Sequence, residues 1–98
     1  IPYWINDLAK LWLTMQIPDK EYAEVAISYL IEQEIITNNA YGDTLYIPNW
    51  FKYTTAWWST GEISDTAYAY AMQFLIDKKF MKIPFSQESS YLSADSSL

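Results

Sequence analysis

Two aspartates, Asp19 and Asp65, are the side chains whose type and spacing could perform acid–base chemistry. Each ends an Ile-x-Asp motif, and the two motifs lie 46 residues apart. Glycosidases use two such carboxyl groups as acid and base. A carboxylate is also favoured at the positive end of a helix dipole, and Ser64 before Asp65 is a good N-cap. Two helix starts explain the recurrence better, so we predict that the chain has no catalytic residue.

Metal chemistry has few candidate ligands in this sequence. Glu32, Glu34 and Asp43 could offer oxygen ligands to Ca²⁺, but no run has the alternating ligands of an EF-hand loop. A solvated acidic surface explains these residues better. Cysteine and histidine are both absent, which excludes Cys–His and Ser–His–Asp nucleophiles and the common zinc and copper sites. We therefore predict a protein that is not an enzyme and binds no metal and no cofactor.

The charge balance restricts the class of partner. Twelve acidic residues against six lysines give a net charge of -6, and no basic stripe interrupts the acidic surface. A phosphate backbone would be repelled, so we predict no nucleic-acid partner. No apolar run reaches the roughly 18–20 residues that span a bilayer, so we expect no transmembrane segment in this stretch.

Aromatic side chains are the most abundant material for a core or a binding surface, with five Trp, nine Tyr and four Phe. Neighbouring helical residues point about 100° apart, so one of the pair Trp57 and Trp58 could reach the surface. Trp58 repeats Trp12 on the inward stripe, so we place Trp58 in the core, whereas Trp57 is open to either core packing or a surface role and is kept as a candidate interaction residue. Together with Trp50 and Tyr53, Trp57 could form a platform for a partner protein or a sugar.

An internal repeat organises the chain. Ile1-Pro2-Tyr3-Trp4 recurs as Ile47-Pro48-Asn49-Trp50, an offset of 46 residues. Further pairs are Trp12 with Trp58, Tyr22 with Tyr68 and, at an offset of 45, Leu30 with Leu75. One residue has therefore been gained or lost near the second helix of a copy. Self-similarity at such a period is typical of repeat architectures.

Each copy is predicted to form two helices. Pro2 and Pro48 suit the first helical position. The apolar residues of the first helix form one stripe of helical spacing, which contains Trp4, Leu8, Leu11, Trp12 and Met15. Gly61 is a suitable left-handed helix terminator, whereas Met15 at the matching place leaves that cap unassigned in the first copy. The predicted core comprises Trp4, Trp12, Trp58, Tyr22, Tyr68, Leu30 and Leu75.

The resulting prediction is an all-α fold of two tandem helix–turn–helix repeats packed together. The first helical hairpin covers residues 1–36 and the second covers residues 47–84. The connector, residues 37–46, is turn-rich and compatible with a short β-hairpin. Residues 85–98 are rich in serine and are predicted to form a flexible tail.

The motifs Ile-Pro-x-Trp and Trp-Trp-x-x-Gly-x-Ile-x-Asp resemble a tandem helical-hairpin repeat of secreted or cell-surface proteins of ammonia-oxidising archaea. The best match is the second copy, with Trp57, Trp58, Gly61, Ile63 and Asp65 in place. The first copy is looser, since Leu11 stands for the first Trp and Met15 for Gly. The half-unit is also distantly similar to the short C-terminal hairpins through which many bacterial proteins oligomerise.

The resemblance implies an exported archaeal envelope protein, extracellular or at the cell surface, with its signal peptide removed. It implies a non-catalytic structural or protein-interaction module with a partner in the envelope or in a membrane complex, and oligomers are compatible with it. An accessory subunit on the outer face of a complex such as ammonia monooxygenase fits this expectation. The alternative is a cell-surface carbohydrate-binding module that uses exposed Trp and Tyr rings.

Overall fold

A computed structural model describes residues 1–38 and 42–85 of the chain. Within these two ranges, four helices account for the regular structure, which confirms the helical fold class. They are α1 (Tyr3–Leu13), α2 (residues 19–32), α3 (Phe51–Ser59) and α4 (Asp65–Asp77). Helix α2 is continuous but has three parts: an α-helical turn at Asp19–Tyr22, a π-helical segment at Ala23–Ile27 and an α-helical end at Ser28–Glu32.

The helix starts partly follow the sequence signals. Pro2 is the extended residue just before α1, one position earlier than predicted. Pro48 lies farther out, and its carbonyl accepts a hydrogen bond from the Phe51 amide at 2.9 Å as α3 begins. Ser64 caps α4 as expected, since its side chain accepts a hydrogen bond from the Ala67 amide. A hydroxyl there satisfies one of the amides left unpaired at a helix start.

All four helices end in the same left-handed turn. The residue with positive φ is Met15 after α1, Glu34 after α2, Gly61 after α3 and Lys79 after α4. In each case the next amide donates back to a carbonyl five residues earlier, as Gln16 does to Leu11 at 2.8 Å. This is the Schellman geometry, which glycine adopts most easily. Met15 therefore adopts the conformation that the sequence indicated only for Gly61.

The π-helical segment explains the change of offset between matched residues. Tyr22 and Tyr68 differ by 46 positions, whereas Leu30 and Leu75 differ by 45, and both pairs are buried. An extra residue in a regular helix would turn every later side chain by about 100°. A π turn holds one additional residue within the helix. The wide turn at Ala23–Ile27 thus keeps Leu30 facing the core.

The core contains six of the seven residues predicted for it, and Trp4 is the exception. Trp12, Trp58, Tyr22, Tyr68, Leu30 and Leu75 are buried, but Trp4 is 43% exposed. The buried face of α1 consists instead of Ile5, Ala9 and Trp12. The predicted apolar stripe is therefore rotated around the axis of α1 by about one residue relative to the observed buried face. Trp4 lies at its edge, with its ring edge-on to Tyr29 at 5.1 Å, and Met15 projects into solvent beyond the helix end.

Helices α1 and α3 pack against each other in opposite directions. Asn6, near the start of α1, donates to the carbonyl of Ser59 at the end of α3. At the other end, the ammonium of Lys52 lies 5.1 Å from the ring centre of Trp12, a cation–π contact. The buried face of α3 mirrors that of α1, because Phe51, Thr55 and Trp58 stand where α1 has Ile5, Ala9 and Trp12.

The segments outside the helices are held by specific contacts. Tyr46 and Lys82 form an isolated antiparallel bridge with two backbone hydrogen bonds of 2.8 Å. The buried Asn38 amide donates to the carbonyls of Ile83 and Phe85, so Phe85, which the prediction assigned to the tail, packs against the core. No strand occurs in residues 1–38 and 42–85. The turn of the predicted β-hairpin and the tail from residue 86 lie outside the described residues.

None of the helices in residues 1–38 and 42–85 has both the length and the apolar character needed to cross a bilayer.

Candidate functional site

Two tyrosine hydroxyls meet at the centre of the buried core. The hydroxyl oxygens of Tyr22 and Tyr68 lie 3.0 Å apart, and Thr55 Oγ1 lies 2.7 Å from the Tyr68 oxygen. All three residues are fully buried. Burial raises the pKa of both tyrosines, since the phenolate would lose its hydration. This hydroxyl cluster, defined as Tyr22, Thr55 and Tyr68, is therefore neutral and acts as a hydrogen-bonded core.

Stacked rings extend the cluster on both sides. Trp12 lies parallel to Tyr22 and Trp58 lies parallel to Tyr68, each with ring centres 4.4 Å apart. Phe51 covers the other side of Tyr68 at 5.5 Å. Aromatic pairs in such positions contribute about 0.5–1.5 kcal/mol beyond their buried area. The large rings thus pack against one another and against the hydroxyl cluster within the core.

Asp19 and Asp65 each bind the indole of a tryptophan. Trp12 Nε1 donates to Asp19 Oδ1 at 2.7 Å, and Trp58 Nε1 donates to Asp65 Oδ1 at 2.8 Å. Asp65 Oδ2 also accepts from the amino nitrogen of Ile1 at 3.0 Å. The Trp58 hydrogen bond is the main reason why the pKa of Asp65 lies below its usual range. Each aspartate thus satisfies a buried N–H group and starts a helix, as the helix-start interpretation predicted.

The acidic residues weighed as possible Ca²⁺ ligands do not form a metal site in the described part of the chain. Within the ranges that the structure describes, no three acidic side chains lie close enough to hold a metal ion. Glu32, Glu34 and Asp43 are all exposed. They belong to the acidic surface of the molecule.

The three predicted interaction residues lie on one side of α3. Trp50, Tyr53 and Trp57 are 52%, 69% and 51% exposed. Their spacing of three and four residues places them within about 60° of one another around the helix axis. The buried residues Phe51, Thr55 and Trp58 occupy the other side. We call the exposed set the α3 strip.

Several other exposed apolar residues were missed by the sequence analysis. Tyr70 and Phe74 are four residues apart on α4 and are 73% and 55% exposed. Their spacing opposite Tyr68, Met72 and Leu75 was a signal that could have located them. Tyr3, Tyr46 and Phe80 are also more than half exposed, but no regular spacing indicated this.

A groove adjoins the α3 strip at Trp50. It has a volume of about 610 Å³ and is open to solvent. Its walls come from the segment before α3 and from the segment after α4, which the bridge between Tyr46 and Lys82 holds together. We call it the basic aromatic groove, and its lining residues are Thr44, Tyr46, Pro48, Trp50, Lys79, Phe80 and Lys82.

Comparison of the chain with protein-family models, with curated proteins and with solved structures finds no match. The function is therefore argued from the residues and their geometry.

Proposed function

We propose that this chain is a non-catalytic protein-interaction module that binds its partner through the α3 strip. The observation that carries the proposal is the exposure of Trp50, Tyr53 and Trp57 on one side of a helix whose other side is buried. Tryptophan and tyrosine are enriched among the residues that dominate binding energy at protein interfaces. Exposed apolar side chains that are grouped on one face, and not scattered singly, mark interaction sites on protein surfaces.

The proposal includes two tandem helix–turn–helix repeats as the scaffold. Its support is the recurrence of the same contacts 46 residues apart: an indole bound to an aspartate and stacked on a tyrosine. The contact of Tyr22 with its own counterpart Tyr68 is typical of two units related by a two-fold axis. Such a scaffold would bury one face of each helix and leave the outer faces available to a partner.

The biological setting belongs to the same proposal and rests on the family resemblance. The chain would be part of an exported archaeal envelope protein, extracellular or at the cell surface. Its partner would be another envelope protein or a membrane complex such as ammonia monooxygenase, with this module as an accessory subunit on the outer face. The net charge of -6 would oppose non-specific association there.

The test is to purify the native protein gently, identify the protein that accompanies it, and measure rebinding of that partner to purified variants. Trp57→Ala with Tyr53→Ala should weaken binding by about 30-fold or more, the usual effect of losing central aromatic contacts. The matched control is Tyr3→Ala with Tyr70→Ala, which removes two exposed rings elsewhere. Equal affinity of both double variants would contradict the proposal.

Carbohydrate binding is the second candidate, because the same three exposed rings could stack on sugar faces. Titration with neutral and acidic glycans distinguishes it from protein binding. A glycan whose affinity is lost in Trp57→Ala would support this candidate. Glycan binding that survives in Trp57→Ala would exclude the α3 strip as the platform.

A further inference from the structure

The basic aromatic groove differs in charge from the rest of the molecule. Lys79 and Lys82 line it, and Lys78 is exposed beside them, so three of the six lysines fall within five residues of a chain with net charge -6. None of the three forms an ion pair with a side chain in the described ranges.

The two groove lysines have no basic counterpart at the matching positions of the first half of the chain. At an offset of 45, Lys79 corresponds to Glu34 and Lys82 to Thr37. The negative end of the dipole of α4 explains a lysine at 78 or 79, since cations are favoured after a helix end. It does not explain Lys82, which lies beyond the last turn and is held beside Tyr46 by the backbone bridge. A ligand with negative charge explains both groove lysines.

The remaining lining of the groove indicates what else the ligand must carry. Tyr46, Trp50 and Phe80 each expose about half of their surface, and Pro48 lies between the first two in sequence. The neutral hydrogen-bonding side chains among the described lining residues are Thr44, the Tyr46 phenol and Trp50, whose indole N–H only donates, and no carboxylate or side-chain amide is among them. A sugar with many hydroxyl donors would find few acceptors here. An apolar side chain next to a carboxylate would match both parts of the lining.

We propose that this groove binds an acidic peptide segment of the partner, with an apolar side chain against Trp50 and Phe80 and carboxylates on Lys79 and Lys82. The volume of about 610 Å³ is suited to a few side chains of an extended segment. The inference rests on the proposed function, because it specifies the chemistry of the partner that also contacts the α3 strip. Trp50 belongs to both surfaces and makes them continuous.

The experiment titrates the full chain with a fluorescent synthetic peptide of alternating glutamate and phenylalanine. A peptide of alternating lysine and phenylalanine tests whether charge matters. The groove variant is Lys79→Gln with Lys82→Gln, which removes two positive charges from the groove. The matched control is Lys10→Gln with Lys20→Gln, which removes two positive charges from residues that do not line the groove. All four lysines lie outside the buried core, and circular dichroism verifies that each variant is folded.

We expect the glutamate peptide to bind, to lose about tenfold or more in affinity with Lys79→Gln and Lys82→Gln, and to keep its affinity in the control. Added salt should weaken binding, because exposed charges are screened. Equal binding of the lysine peptide, or unchanged affinity in the groove variant, would overturn the inference. So would binding of polygalacturonate in the absence of peptide binding, which would assign the groove to an anionic glycan.

The two proposals fail in different ways. If the native partner is lost with Trp57→Ala and Tyr53→Ala but binds normally to the groove variant, the interaction function stands and the acidic-peptide inference is wrong. If the partner binds normally to both variants, the proposed function of the α3 strip is itself wrong.

Discussion

The hydroxyl oxygen of Tyr22 lies 3.0 Å from that of Tyr68, and the two residues occupy matching positions 46 apart in the chain. This contact joins α2 to α4 at the buried centre. The two tyrosines differ in their other partners. Thr55 Oγ1 hydrogen-bonds to Tyr68, whereas the residue 46 positions before Thr55 is Ala9, which has no hydroxyl to offer Tyr22. Tyr68 therefore links two hydrogen bonds, and Tyr22 takes part in one.

Tyr68→Phe should destabilise the protein more than Tyr22→Phe. Loss of the Tyr68 hydroxyl leaves both Tyr22 and Thr55 without their buried partner, at a cost of about 1–3 kcal/mol for each unsatisfied group. Loss of the Tyr22 hydroxyl leaves Tyr68 bonded to Thr55, so we expect about 1 kcal/mol. Urea denaturation of both variants and of the exposed control Tyr70→Phe measures the difference. A larger loss with Tyr22→Phe would mean that the cluster is arranged differently.

Adjacent tryptophans should respond in opposite ways to truncation. Trp58→Ala removes a ring that is 4% exposed, stacked on Tyr68 and bonded to Asp65, and should lower the free energy of unfolding by about 3–5 kcal/mol. Trp57→Ala removes a ring that is 51% exposed and should change it by about 0.5 kcal/mol or less. Thermal and denaturant unfolding compare the two variants. Similar losses would show that the face assignment of α3 is incorrect.

The left-handed turns predict a stabilising and a destabilising substitution. A non-glycine residue in this conformation costs about 1–2 kcal/mol, partly offset by the greater freedom of glycine in the unfolded chain. Met15→Gly, at φ 62° and on an exposed residue, should therefore raise stability by up to about 1 kcal/mol. Gly61→Ala, at φ 84°, should lower it by about 1 kcal/mol. Opposite signs in denaturant unfolding would contradict the assigned helix ends.

Acidification should weaken the folded state through Asp65. Its pKa is lowered in the folded protein, chiefly by the Trp58 hydrogen bond, so its contribution is fully present above the unfolded pKa of about 3.9. The contribution is lost as the pH falls through the lower folded pKa. Asp65→Asn keeps an oxygen for the indole but cannot titrate, so its stability should depend less on pH below about 4. Identical pH profiles of the two proteins would exclude this role.

Local sequence patterns were sufficient to predict that the chain forms helices and to predict most of the core residues. Burial of Trp12, Tyr22, Trp58 and Tyr68 was predicted from helical spacing and from the recurrence of the same residue types 46 positions apart. The same reasoning identified Asp19 and Asp65 as helix-start residues and named Trp57 as a candidate interaction residue. Helical spacing and helix-start signals depend on neighbours a few residues away, and the recurrence is visible in the order of amino acids itself.

Tertiary packing determined the remaining features, which are the rotation of α1, the contact between the two tyrosine hydroxyls and the groove. Trp4 stands at the edge of the core because the exact rotation of α1 depends on how Ile5 and Ala9 fit α3, which periodicity resolves only to about one residue. The hydroxyl contact between Tyr22 and Tyr68 and the groove between Tyr46 and Lys82 join residues more than 30 positions apart. Such contacts depend on how the helices pack together, and no local pattern of residue types encodes that arrangement.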